Sequence, residues 1–427
     1  MIHSAFKNIF SSLYSRNYRI YFAGQGISLI GTWMQNIALS WLVYRLTGSV
    51  FLLGLIGFTS QIPTFVLSPF TGVLTDRYSR LKIMTFAQVG FMLQALIMTL
   101  LVLLNLIEVW HIVLLSILFG IFSALDAPAR QSLVIELIDD PRDLGNAIAL
   151  NSAIFNGARL IGPAIAGITI AAVGEGICFL LNTFSFVAVI GALFMIRIPS
   201  KPANGQAVRF RESYTEGFRY TFHTEPIRML IILLAILSLF GVSFVVLLPA
   251  YAKEILHGNS DTLGFLMSAL GAGAMSAALF MASRKSVLGL TKIISFSIIL
   301  LGLATAMASL SSIFSISLVM LFMCGVSMVL TLSSINTLLQ TIADEDKRGR
   351  VMSFYAMALM GTAPIGSLLA GTLASRTGIW EALLICGILT FGAGIWFVIN
   401  YSSFQKHIRP LYIVKGIIPG LSDDIPG

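Results

Sequence analysis

Apolar residues gather in twelve runs along the chain, and short polar segments separate the runs. Each run is about 20 residues long, which is the length that an α-helix needs to cross a lipid bilayer. The runs lie near residues 20–44, 50–74, 83–105, 109–129, 146–171, 177–197, 227–251, 262–283, 292–310, 313–338, 350–374 and 379–401. This pattern predicts an all-α integral membrane protein with twelve transmembrane helices, which we call spans 1 to 12.

A polar stretch between spans 6 and 7 divides the chain into two groups of six. We expect an N-terminal six-helix bundle at residues 1–198, a linker at 199–225, a C-terminal six-helix bundle at 226–402 and a cytoplasmic tail at 403–427. Aromatic residues recur at every fourth position of the linker, at Phe210, Tyr214, Phe218 and Phe222. That spacing predicts an amphipathic helix on the membrane surface. The tail is short and reads as a series of turns.

The segment Ile138–Gly174 is similar to the segment Ile342–Gly378, which begins 204 residues later. Nine positions are identical in this register, and five of them are the glycines Gly145, Gly157, Gly162, Gly167 and Gly174. Glycines allow the backbones of membrane helices to approach closely. The repeat therefore predicts two pseudo-symmetric halves, an arrangement common among membrane transporters. The alternative is chance similarity between two glycine-rich helices.

Composition and charge support a membrane location. The chain is 57% hydrophobic and 11% charged, whereas about a quarter of the residues of a soluble protein are charged. Of the 27 lysines and arginines, 23 fall on the side that carries both termini, three fall on the opposite side, and Arg159 lies within span 5. The positive-inside rule then places both termini in the cytoplasm, with the spans in the inner (plasma) membrane. The net charge of +8 is explained as a topology signal, so we expect no nucleic-acid partner.

The turn between spans 2 and 3, GVLTDRYSRLK at residues 72–82, resembles the signature loop of the major facilitator superfamily, G-x-L-x-D-R-x-G-R-[RK]. It departs from that pattern at Ser79 and Leu81. The resemblance implies a secondary transporter that works by alternating access. It also implies a gating role for Gly72, Asp76, Arg77 and Arg80. A plain basic turn without a gating role is the alternative.

Span 4 ends with Asp126 and Arg130, which share one helix face if the helix continues through Pro128. The stretch at residues 123–132 is similar to the end of span 4 in bacterial drug and siderophore exporters of the enterobactin-exporter type. This resemblance implies that Asp76, Asp126 and Arg130 form a charge cluster on the cytoplasmic side, which holds the outward-facing state closed. The alternative is an ordinary interfacial ion pair that contributes little.

Span 5 carries Ser152, Asn156 and Arg159 on one helical stripe. A charge at this depth costs at least a few kcal/mol unless it meets a partner or a wet cavity. We therefore expect Arg159 to face the central cavity and to bind an anionic or strongly polar group. A structural arginine that is paired inside the bundle is the alternative. The next residues, Gly162 and Pro163, resemble the Gly-Pro motif of superfamily antiporters and predict a helix that can bend.

Two other spans carry polar stripes that predict the walls of a polar path. They comprise Gln25, Ser28, Thr32 and Asn36 in span 1, and Thr331, Ser334, Asn336 and Thr337 in span 10. Hydrogen bonding between helices is the alternative use of such residues. No acid lies near the middle of any span. Proton antiport is therefore implied by the resemblance alone.

We find no set of residues for catalysis and no GxxxxGK[ST] phosphate-binding motif, so we expect neither an enzyme nor ATP hydrolysis. No metal site and no cofactor are expected. The sequence thus predicts a monomeric exporter of a small molecule, either a drug-like compound or a siderophore, with protons as the candidate coupling ion. An importer or a lipid flippase on the same fold is the alternative, and a transport-inactive sensor is less favoured.

Overall fold

The computed structural model describes residues 10–197, 218–284 and 286–418, and it describes residues 69, 72, 73 and 76 through their backbone alone. Its N-terminal half contains six long helices: α1 (Arg16–Thr47), α2 (Val50–Arg77), α3 (Arg80–Leu103), α4 (Val109–Glu136), α5 (Leu144–Val173) and α6 (Glu175–Met195). Its C-terminal half contains α7 (Glu225–Ile255), α8 (Ser260–Ser283), α9 (Leu290–Ser309), α10 (Phe314–Ile342), α11 (Arg348–Thr377), α12 (Ile379–Ile399) and α13 (Tyr401–Val414).

Helices α1 to α12 coincide with the twelve predicted spans, so the predicted fold class is confirmed. Within the described residues, all of these helices except α1 are long and apolar enough to cross a membrane. Helix α1 is less apolar because it carries amides such as Gln25, Gln35 and Asn36. We call the end of the bundles that carries Arg16 and Arg228 the basic face, and the end that carries Arg45 and Arg376 the distal face.

The turn-rich reading of the tail is wrong, because residues 401–414 form the helix α13. Its residues Phe404, Ile408 and Tyr412 recur at every fourth position and are buried. Phe404 packs edge-on against Phe397 of α12, with ring centroids 5.3 Å apart. This period of one helical turn is the amphipathic signal in the tail. The tail therefore covers the basic face of the C-terminal half.

The end of the linker is helical where it is described, at residues 218–223. Phe218 and Phe222 stack 4.5 Å apart, and both rings lie 6.0 Å from Phe354 at the start of α11. The backbone N–H of Asp344 donates to the Tyr220 hydroxyl at 3.2 Å. This segment thus docks on the C-terminal half. The other two aromatic positions of the predicted amphipathic helix, 210 and 214, lie outside the described residues.

Glycines bring the two halves together near the distal face. A β-carbon added to Gly167 of α5 would lie 3.0 Å from the Cα of Gly264 in α8. The pseudo-symmetric contact joins Gly371 of α11 to Gly54 of α2, where the same distance is 2.9 Å. Only glycine permits such an approach. Gly167 and Gly371 occupy equivalent positions in the two repeats, so the repeats make equivalent contacts.

Two helices of the C-terminal half depart from regular α geometry. In α7, Leu237–Val242 and Tyr251–Ile255 are π-helical and Ser243–Leu247 is a 3₁₀-helix. In α11, Met357–Gly361 is π-helical. Such irregular turns often mark functional positions in membrane helices.

The irregular turns of α7 and α11 are coupled through Ser238. Pro364 has no N–H, so it cannot donate to the carbonyl of Leu359, which lies five residues earlier. The Ser238 hydroxyl of α7 donates to that carbonyl at 2.7 Å. A side chain of α7 therefore donates to the backbone of α11 next to its π-helical turn.

Candidate transport pathway

A cavity of about 540 Å³ lies mainly among α1, α2, α3 and α4. Val246 of α7 and Met360 of α11 complete its wall, so both halves contribute to it. Its polar lining consists of Gln35, Asn36, Ser40, Ser60, Gln61, Thr64, Gln94, Ser116 and Ser123. Asn36 was predicted to line the path, and it does line this cavity. The polar residues of α2 at positions 60, 61 and 64 share one helical turn, which is the signal that the sequence offered for this wall.

Amides cross-link the wall of the cavity to the bundle behind it. The Gln35 Nε2 donates to Gln94 Oε1 at 2.9 Å, and the Asn182 Nδ2 donates to Gln35 Oε1 at 2.7 Å. The Ser185 hydroxyl in turn donates to Asn182 Oδ1 at 2.8 Å. All four side chains are buried. The chain of bonds joins α1, α3 and α6 and fixes the orientation of the two glutamines that line the cavity.

The predicted stripe on α5 lies in the part of the helix that leads toward the basic face. Ser152 is exposed, and its hydroxyl donates to the Ile148 carbonyl at 3.0 Å. The Asn156 Nδ2 donates to the Ser152 carbonyl at 2.8 Å. A β-carbon added to the neighbouring Gly157 would approach α8 no closer than 3.9 Å, to the tip of Met275. Helices α5 and α8 touch through backbone at Gly167 and again at Arg159, and they leave open space at Gly157, which we call the cleft.

Arg159 lies at the deep end of this stripe. Its Nε atom is buried and has no hydrogen-bond partner among the described residues, and its side chain forms no ion pair with them. The guanidinium carbon lies 5.7 Å from the centroid of the Trp33 ring. Trp33 also lines the cavity, although Arg159 itself does not. Trp33 therefore separates the guanidinium from the cavity.

The backbone at Arg159 belongs to the contact between the halves. Pro163 has no N–H, so the Arg159 carbonyl loses its usual helical donor. Gly271 of α8 packs against this carbonyl, and a β-carbon at Gly271 would lie 2.6 Å from the oxygen. Gly162 packs equally closely on Trp33 of α1. The Gly-Pro pair thus lies between α1 and α8.

The other predicted path residues lie away from the cavity. Gln25 and Ser28 are buried, and the Thr32 hydroxyl donates to the Ser28 carbonyl at 2.9 Å. In α10, the Asn336 Oδ1 accepts from Gln340 Nε2 at 2.6 Å. Thr331 and Ser334 are fully buried, and the Thr331 hydroxyl is 2.7 Å from that of Ser297 in α9. Thr331 therefore takes part in hydrogen bonding between helices, which was the alternative to lining a polar path.

The predicted charge cluster at the basic face is partly assembled. Helix α4 continues through Pro128, and Asp126 Oδ2 lies 3.2 Å from Arg130 Nη2. Asp126 is buried, and its Oδ1 accepts from Gln88 Nε2 of α3 at 2.8 Å. A buried carboxylate with two donors from its own bundle is held in place whether the halves are together or apart. This arrangement leaves Asp126 and Arg130 on the N-terminal side of the cleft.

The signature turn is also tied to α4. The Arg80 Nη1 donates to Glu136 Oε1 at 2.7 Å. Glu136 was not among the predicted site residues, although it follows Arg130 by six positions. Gly72 and Asp76 lie in the last turns of α2, and the contacts of the Asp76 side chain stay a prediction. Arg77 is exposed at the end of that helix.

The model of the transmembrane secretion effector family matches residues 7–406. The chain belongs to this family of major facilitator transporters. It is 26% identical to the staphyloferrin A transporter of Staphylococcus aureus, over 87% of this chain and 93% of that protein. It is 24% identical to the multidrug efflux pump Tap of Mycolicibacterium fortuitum, over 85% and 88%.

The fold agrees with that assignment. The transporter superposes on a bacterial homologue of the human lysosomal transporter Spinster with a TM-score of 0.65, at 12% identity, over 95% of this chain and 99% of that one. Family and relatives are transporters, so the protein is a secondary transporter of a small molecule and not an enzyme. Its location in a membrane follows from the same relationship.

The transporter is closed at its distal face in this structure. The Ser260 hydroxyl of α8 donates to the Gly167 carbonyl of α5 at 3.2 Å. The Tyr44 hydroxyl of α1 donates to Glu254 Oε1 of α7 at 3.1 Å. Both bonds join the two halves. Sequence reasoning missed them because a residue at a helix end gives no sign of its partner in the other half.

Proposed function

We propose that this transporter exports a small molecule with an anionic or strongly polar group from the cytoplasm by alternating access. The basic face is then the cytoplasmic face, because in the sequence 23 of the 27 basic residues lie in the termini, in the linker or in the loops and span ends on that side. The relatives support export and two substrate classes, since one is described as a multidrug efflux pump and another as a staphyloferrin A transporter. A siderophore or a drug-like compound is therefore the substrate that we propose.

Arg159 is the observation that carries this proposal. A guanidinium is always charged at physiological pH and offers five N–H donors. Its Nε is buried and has no hydrogen-bond partner among the described residues, and its guanidinium carbon lies 5.7 Å from the centroid of the Trp33 ring. An anion that reached this position from the cleft would satisfy the open donors in a low-dielectric setting. Trp33 would offer an aromatic face to the rest of the molecule.

The route to Arg159 follows α5 from the cytoplasm. A substrate would enter the cleft beside the exposed Ser152, pass Asn156 and reach Arg159, with Trp33 leading on into the cavity. Closure of the cytoplasmic cleft and opening of the distal face would then expose the substrate to the outside. The cluster of Asp76, Asp126 and Arg130 would hold the cytoplasmic side closed in that state.

Proton antiport would supply the energy for export. Carboxylates near the two mouths of the path are the candidates for the proton carrier, and they include Asp126 at the cytoplasmic side and Glu254 at the distal side. Both halves of one chain build the cavity, so a monomer suffices for this cycle.

The direction of transport tests the proposal. We expect bacterial cells that produce the protein to accumulate less of a labelled citrate-type siderophore or of a polar drug than cells without it. A proton uncoupler should abolish the difference. If producing cells accumulate more of every compound that responds, the protein is an importer. If the difference survives the uncoupler in energised cells, protons are not the coupling ion.

A further inference from the structure

A second cavity, of about 350 Å³, lies at the basic face of the C-terminal half. It is bounded by the start of α9 and by the tail helix α13. Its polar lining consists of Thr291, Lys292, Tyr401, Gln405, Arg409 and Tyr412. Within the described part of the chain, no carboxylate lines it. The described lining therefore offers hydrogen-bond donors and positive charge.

Arg409 differs in this respect from two other basic residues of the tail. His407 lies 3.2 Å from Glu225, and Lys415 lies 3.8 Å from Asp344. Neither Lys292 nor Arg409 has a carboxylate within 4 Å among residues 10–197, 218–284 and 286–418. Two cations that share a concave surface repel each other unless an anion lies between them. Both side chains are exposed, so an anion could reach the space between them.

The position of Lys292 indicates where that anion comes from. Lys292 stands at the end of an exposed apolar stripe of α9 that continues through Phe296, Leu303 and Met307. Phe296, one turn away, is 65% exposed, as expected of a side chain that faces lipid. A molecule with an acyl chain along this stripe would have its headgroup at Lys292. Arg409 is exposed on α13 and lines the same cavity as Lys292.

We propose that this cavity binds the phosphate of an anionic phospholipid in the cytoplasmic leaflet. Arg409 would grip two phosphate oxygens with its planar fork, and Lys292 would approach as a point charge. Hydroxyl groups of Thr291 and Tyr401 would donate to the remaining oxygens. Basic pockets at this level of a membrane protein suit anionic headgroups. The lipid would join α13 to α9, and this site is separate from the transport path.

Native mass spectrometry of the full chain in detergent tests the proposal. Phosphatidylglycerol should bind, and the double variant Lys292→Gln/Arg409→Gln should bind it about thirtyfold more weakly, which is about 2 kcal/mol for two interfacial charges. The matched control is Lys406→Gln/Arg219→Gln, which removes two exposed charges from the same face but leaves the cavity intact. It should bind within about twofold of the parent.

Two further arms identify the ligand and protect against misfolding. Lys292→Arg keeps the charge and should retain binding, so a loss in the double variant is not a general effect of substitution at this helix end. Phosphatidylcholine and glycerol 3-phosphate should bind much more weakly than phosphatidylglycerol. The proposal is overturned if the control pair weakens binding as much as the cavity pair. Equal binding of phosphatidylcholine, or of glycerol 3-phosphate, would also overturn it.

Discussion

Replacing Gly167 by alanine should open the distal face of the transporter. The added β-carbon would lie 2.7 Å from the Ser260 carbonyl oxygen, 3.0 Å from the Gly264 Cα and 3.1 Å from the Asp261 Cα. All three are backbone atoms of α8, so no side chain can rotate away. Helices α5 and α8 must then separate by several tenths of an ångström wherever they touch. The clash exists only while the distal face is closed, so the substitution should favour the outward-facing state.

Overpacking of this kind costs about 1–3 kcal/mol. That free energy raises the ratio of distal-open to distal-closed molecules by about five- to 150-fold. Alanine also favours the helix over glycine by about 1 kcal/mol, but that gain is equal in both states and cancels from the ratio. The shift should therefore be visible even if most parental molecules are closed.

Gly157→Ala is the matched control, because it makes the same change in the same helix. A β-carbon at Gly157 would meet nothing closer than the Met275 side-chain tip at 3.9 Å. Spin labels on the exposed residues Leu46 and Thr377, at the distal ends of the two halves, report the opening. Gly167→Ala should add a longer distance to their distribution, and Gly157→Ala should not. Identical distributions for the two variants would refute the reasoning.

Two further predictions concern gating and topology. Asp76→Asn or Arg130→Ala should impair transport while abundance in the membrane stays near normal. Each substitution removes about 1–3 kcal/mol of interaction from the charge cluster of Asp76, Asp126 and Arg130. If both variants transport at the parental rate, the cluster is only an interfacial ion pair. An impermeant thiol reagent applied to intact cells should spare a cysteine placed at Gln206 and label one placed at Asn259. The reason is that the distribution of 23 basic residues predicts a cytoplasmic linker. The reverse labelling pattern would contradict this topology.

The twelve helices were predictable because hydrophobic length is a property of each segment by itself. The repeat was equally accessible, since Gly167 and Gly371 stand 204 residues apart in matching segments. Their packing partners, Gly264 and Gly54, could not be predicted from the sequence. A close contact requires small residues on both helices, and the sequence does not state which helices face each other.

The candidate path was predictable only in part. Arg159 and Asn36 stood out because a polar side chain deep in the membrane is energetically costly unless it has a partner or faces water. Gln35 and Gln94 were missed, since a buried amide that braces the bundle and one that lines a cavity have the same local pattern. The tail helix was missed because its three buried residues are spread among charged ones, which masks the period of four.

Export of an anionic or strongly polar molecule through a site at Arg159 is the central claim, and substitution of that residue tests it most directly. Arg159→Lys keeps the charge but loses the planar fork, whereas Arg159→Gln loses the charge. Lysine should therefore reduce export partly, and glutamine should reduce it by at least about tenfold, as loss of a charge-assisted contact implies. Arg45→Gln is the control, because it removes a half-exposed arginine that pairs with Glu175 at the distal face.

The measurement is the rate of substrate efflux from loaded cells, divided by the amount of protein in the membrane. We expect normal abundance for all three variants, with efflux that falls from Arg45→Gln through Arg159→Lys to Arg159→Gln. Failure of Arg159→Gln to accumulate in the membrane would make the residue structural. Parental efflux by a well-expressed Arg159→Gln would contradict the account.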